Sequence, residues 1–121
     1  MGLLNLGRDL LADAIIGGSS YTKFTNASAQ IAVGTASTAY SAAQTGLTSA
    51  VSKGMEATYP QRTANAIVFR SVFATGDANQ AWEEWGVNNG TQYLNRKAES
   101  FGTKTSSMTR QLTVTLTIAH A

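Results

Sequence analysis

Seven carboxylates and one histidine are what this chain offers for acid–base chemistry near neutral pH. The carboxylates are Asp9, Asp13, Glu56, Asp77, Glu83, Glu84 and Glu99. A glycosidase needs two of them facing each other across a cleft. Glu83 and Glu84 are adjacent, so on a strand they point to opposite faces and cannot form that pair. Asp9 and Asp13 lie one helical turn apart, the spacing of an ordinary solvated face. Asp77, Asn79 and Glu83 bring oxygens to a turn, but a calcium loop wants more oxygens at alternate positions and a glycine inside. Asp77 and Asn79 therefore read as turn residues. Cysteine is absent, which removes disulfides, thiolate metal sites and cysteine nucleophiles together. His120 is the penultimate residue, so a zinc site or a Ser-His-Asp triad would have to be built there. Gly17-Gly18 follows a helical pattern instead of opening one, the wrong order for a phosphate loop. These patterns predict no enzyme, with no catalytic residue, no metal ligand and no cofactor.

Binding chemistry is equally sparse. The nine basic residues are scattered and the net charge is +2, with Arg96-Lys97 the only adjacent pair. Without a basic run, no nucleic-acid partner is expected. A base-stacking platform needs aromatics beside a basic groove, and Arg70, Arg96 and Lys97 are too few. Asn26-Ala-Ser28 and Asn89-Gly-Thr91 fit the glycosylation triplet, with no secretion signal to give them meaning. Trp82 and Trp85 are three apart, so on one strand they face opposite ways. One belongs to the core. The other faces solvent, a partner or a covering helix, and tryptophan is favoured at interface hot spots.

The elements that must position these residues follow from periodicity. At 100° per residue, Leu3, Leu4, Leu6, Leu10, Leu11, Ala14 and Ile15 cover half a helical wheel. Asn5, Arg8, Asp9, Ala12 and Asp13 take the other half, and Gly17-Gly18 ends the pattern. Residues 1–17 read as an amphipathic helix, too short and too charged to span a bilayer. It is no signal peptide, since it lacks a basic start and Asp9 and Asp13 interrupt it. No membrane partner is expected. A helix this short must dock, either on its own sheet or on a neighbouring subunit.

Residues 19–50 are small and polar. A strand is expected at 29–33. A short helix at 42–51 and a loose surface excursion are both open. Residues 55–59 read as a strand ended by Pro60. Residues 66–73 form a strong strand, with Ile67, Phe69, Ser71 and Phe73 on one face. Residues 81–87 read as a strand, Asn88-Asn-Gly90 as a tight turn, and 93–98 as the return strand. In the last strand Leu112, Val114, Leu116 and Ile118 alternate with Thr113, Thr115 and Thr117, a core face and a threonine ladder.

The 121 residues make one domain of 1–121, with the helix at 1–17, the irregular segment at 19–50 and a β core at 55–119. The class is mainly β, an antiparallel β-sandwich or jelly roll with an N-terminal amphipathic helix. Charged residues are 13% of the chain, about half of the ~25% usual in soluble domains. With 16 Thr, 11 Ser and 7 Asn supplying the polarity, a surface this poor in charge points to coverage by other protein.

Several segments carry a family likeness. These are the run from Phe73 through Thr75-Gly-Asp-Ala-Asn79 and Trp82-Glu-Glu-Trp-Gly86, then Leu94-Asn-Arg-Lys97, Gly102-Thr-Lys-Thr105 and Leu112-Thr-Val-Thr-Leu-Thr-Ile118. The opening Leu3-Leu-Asn-Leu-Gly-Arg-Asp9 and Ala57-Thr-Tyr-Pro-Gln-Arg62 add to them. In this order and spacing the chain resembles small structural proteins of tailed bacteriophages. The likeness is weakest over 19–50. It implies a virion protein made in the host cytoplasm, a head decoration (cement) protein on the capsid surface that stabilises the assembled shell. The partners implied are the major capsid protein, or tail proteins, of the same virion and further copies of itself. A tail or head–tail connector protein is the first alternative. A carbohydrate- or host-surface-binding module, using Trp85 beside Asn88 and Asn89, is the second. No catalytic residue comes with the family. The residues assigned to an assembly interface are Leu3, Leu6, Leu10 and Leu11, with the exposed one of Trp82 and Trp85.

Overall fold

The structure, a computed structural model, describes residues 2–119. It is mainly β, with two antiparallel sheets and one short helix. In chain order the elements are β1 (Gly2–Leu3), α1 (Asn5–Ile15), β2 (Gln30–Gly34), β3 (Val51–Gly54), β4 (Gln61–Thr63), β5 (Ala66–Phe73), β6 (Glu84–Asn88), β7 (Asn95–Ala98) and β8 (Arg110–Thr117). The larger sheet has the order β1-β7-β6-β2-β3, and the smaller has β4-β5-β8.

The alternating apolar positions of β5 and β8 meet those of the larger sheet. Phe69, Val114 and Leu116 form one buried cluster with Ala29, Ile31, Val87 and Leu94. A second cluster joins Val33, Phe73, Ala78 and Trp82, with the Phe73 and Trp82 rings edge to face at 5.0 Å. Fully burying side chains of this size stabilises by roughly 1.5–3 kcal/mol each. The threonines at 113, 115 and 117 stay exposed on the other face. Ser71 sits in the core row and donates its hydroxyl to Lys53 O at 3.1 Å, so its burial leaves no polar group stranded.

Several sequence expectations are corrected. Ile118, expected on the core face of the last strand, lies beyond β8 and is 56% exposed. Residues 55–59 are a turn region, not a strand; Thr58 has φ +73°, and Asn26 Nδ2 donates to the carbonyls of both Glu56 and Tyr59. Those carbonyls are therefore withheld from any ladder. No helix forms at 42–51. Instead Val51–Gly54 pairs with β2 as β3. The helix is shorter than 1–17, because Gly2 and Leu3 pair with Arg96 and Asn95 of β7 before it begins. The strand expected at 81–87 is shifted to Glu84–Asn88, leaving Trp82 in the approach to it.

Residues 35–50 lack helix and strand but are not loose. They form a cover over the outer face of the larger sheet. Small side chains let this backbone come close enough for Ala36 N–H and Thr48 N–H to reach Glu84 Oε2, at 3.0 and 2.9 Å.

Candidate assembly surface

Helix α1 docks on its own chain. Leu4 and Leu10 are buried, and Leu3 and Leu11 pack against the main cluster. Gly7 is buried against β7's lead-in, where a side-chain Cβ would collide with the Leu94 carbonyl oxygen. Leu94 O also accepts the Leu4 N–H at 3.1 Å, and Ala42 O accepts that of Asn5 at 2.8 Å. The N–H groups of Leu4 and Asn5, at the helix start, are thereby anchored without a side-chain cap.

The interface assignment changes accordingly. Leu10, at 5% exposure, is core and not a docking side chain. Leu3, Leu6 and Leu11 are half-buried. The exposed apolar part of α1 is its C-terminal end, where Ile15 and Ile16 are 84% and 82% exposed. Ile15 was legible on the apolar side of the wheel; Ile16 was not, because it lies past the helix end. Beneath that end is a cavity of about 260 Å³, lined by Leu10, Leu11, Ala14, Phe24, Ile67 and Leu116 among others. The helix thus covers the space between the sheets incompletely near its exposed tip.

The two tryptophans part company. Trp82 is fully buried, its indole N–H donating to Ala78 O at 2.9 Å and its ring lying 4.9 Å beneath the Arg110 guanidinium. Trp85 is the half-buried one. Its indole donates to Glu99 Oε1 at 3.2 Å. It borders a groove of about 240 Å³ together with Lys97, Glu99, Phe101 and residues 112–115 of β8.

Asp77 and the amides weighed for chemistry have structural partners. Asp77 accepts from Lys53 at 3.0 Å and from Ala74 N–H at 2.9 Å, and these bonds hold its carboxyl below the ordinary value of 3.8. Asn79 Oδ1 accepts from Lys104 Nζ at 2.9 Å. Lys104 is buried, and no local pattern in the sequence marks it so. Among the described residues no three His, Asp or Glu side chains gather as metal ligands. His120 lies outside them. Asn88 and Asn89 are buried and point their oxygens at the N–H groups of Gly90, Thr91 and Gln92. They do not join Trp85 in a carbohydrate platform, since Asn88 also lies on the opposite face of β6. No helix among the described residues is long and apolar enough to cross a membrane.

Comparison of the chain with protein-family models, with curated proteins and with solved structures finds no match.

Proposed function

We propose that this chain is a structural protein of a tailed-bacteriophage virion, a head decoration protein that binds and stabilises the assembled shell. In this reading the two sheets make an open β-sandwich, and α1 presents the contact. The observation that carries it is the pair Ile15 and Ile16. Two large aliphatic side chains stand almost fully in solvent at the end of a helix whose Leu10 and Leu11 are committed to the core. Such a patch on a charge-poor chain marks an interaction site. The resemblance of the Leu94-Asn-Arg-Lys97 and Gly102-Thr-Lys-Thr105 segments to structural proteins of tailed bacteriophages supports the same reading.

Binding only to assembled shells would stabilise them by mass action. The test is co-sedimentation with shells of the phage that encodes the chain, prepared without it. Wild type should bind, and Ile15→Asp/Ile16→Asp should not, with its circular dichroism unchanged. Equal binding by both would remove the helix tip from the contact. Absence of binding by wild type would favour the tail or connector position.

A further inference from the structure

Strand β8 is an unprotected edge. It runs one-to-one along β5 from Arg110↔Phe73 to Thr117↔Ala66 with no bulge, and it contains neither proline nor lysine. The other sheet edges are blunted by shortness or charge: β1 has two residues, β4 three, and β3 four including Lys53. Natural sheets use these devices to stop edge-to-edge pairing.

The phase of the free edge follows from the ladder. Ile118 N–H donates to Asn65 O at 2.8 Å. By alternation the even-numbered residues of β8 bond β5, and Gln111, Thr113, Thr115 and Thr117 turn their N–H and C=O groups away from it. Arg70 O agrees with this phase. Arg70 lies opposite Thr113, and its carbonyl accepts Glu56 N–H on the side away from β8. Among the described residues, no backbone partner takes the four outward pairs of groups.

We propose that β8 pairs antiparallel with β8 of a second copy of this chain, across a two-fold axis at Val114. The two three-stranded sheets then become one of six strands. The occupant is a second copy because the edge is complementary to itself. In this register Thr113 faces Thr115 of the second copy, and Gln111 faces Thr117, so every outward group finds a partner. Threonine pairs directly across strands are favourable. The strand's one charge, Arg110, falls opposite Ile118 of the other copy. The two arginines then stand roughly 27 Å apart at about 3.4 Å per residue. Ile118, 56% exposed, and the groove beside Trp85 lie along the same edge and are covered by the second copy. The pairing stands independently of the virion reading, which is tested on particles.

The test is sedimentation velocity of the purified full chain, with hydrogen exchange read at single amides. Wild type should be a dimer in which the amides of residues 111, 113, 115 and 117 are protected. Thr115→Pro removes an outward N–H that the fold does not use, and edge strands tolerate proline there. It should weaken the dimer at least about 100-fold, since the two-fold axis doubles each loss. Thr115→Lys should do the same without touching the backbone, and it decides the matter if the proline variant does not fold. A wild-type monomer, or a dimer whose four amides exchange freely, would overturn the pairing.

Discussion

Arg96 Nε lies 2.7 Å from Glu84 Oε1, with the two side chains only 2% and 1% exposed. The remaining valences of this pair hold the segment that covers it. Glu84 Oε2 takes the N–H groups of Ala36 and Thr48, and the Arg96 guanidinium reaches Gln44 Oε1 at 3.2 Å. The ion pair is therefore a latch between β6–β7 and residues 35–50. Breaking a buried pair by removing one partner costs about 3–5 kcal/mol, because a charge is left unmatched. Arg96→Met should lose that much in chemical denaturation and should release the Ala36 and Thr48 amides to exchange. Unchanged protection at those two amides would contradict the latch.

Gly7 separates helix propensity from docking. In an isolated helix Gly→Ala gains about 1 kcal/mol. Here the added methyl group meets the Leu94 carbonyl, and overpacking of that kind costs about 1–3 kcal/mol. Gly7→Ala should lower the melting temperature. A rise would mean that α1 is free of its sheet.

Leu10→Asp buries a carboxylate where a leucine was, and should destabilise the isolated chain by at least about 3 kcal/mol. Ile15→Asp should stay within about 0.5 kcal/mol of wild type, as exposed substitutions do. Thermal melts of the two variants check the contrast. Equal losses would show that the helix tip is packed.

Asp77 should be felt on acidification. Its carboxyl is lowered chiefly by the hydrogen bond from Lys53 and next by that from Ala74 N–H. The folded state therefore favours the ionised form. Its contribution is complete above the ordinary value of 3.8 and is lost as the pH falls through the lower folded value. The stability difference between wild type and Asp77→Asn, followed by denaturation from neutral to acid pH, should shrink on that descent. A difference independent of pH would contradict the bonding to Lys53.

Ala64 occupies the two-residue loop between β4 and β5 with φ +52°. The left-handed region costs an L-residue about 1–2 kcal/mol, against about 0.4–1 kcal/mol for the extra freedom of glycine in the unfolded chain. Ala64→Gly should stabilise by up to about 1 kcal/mol in urea titration. Destabilisation would show that the methyl group is packed.

What could be read in advance was local. The rows Phe69-Ser71-Phe73 and Leu112-Val114-Leu116 are period-two patterns within single strands, and Ile15 lies on a helical stripe. Trp82 and Trp85 could be told apart only by what covers them. The latch was out of reach, since Glu84 and Arg96 are twelve residues apart and their other partners come from 36 to 52 residues away or more. Residues 55–59 misled for a similar reason. Their alternation is strand-like, but Asn26 takes two of their carbonyls from about thirty positions upstream.

The proposed decoration role is tested most directly by the copy number of this chain in purified virus particles, by quantitative mass spectrometry against the major capsid protein. The predicted ratio is near one, or a simple fraction such as one third. A ratio lower by one to two orders of magnitude would place the chain in the tail or connector, and its absence from particles would contradict a virion role altogether.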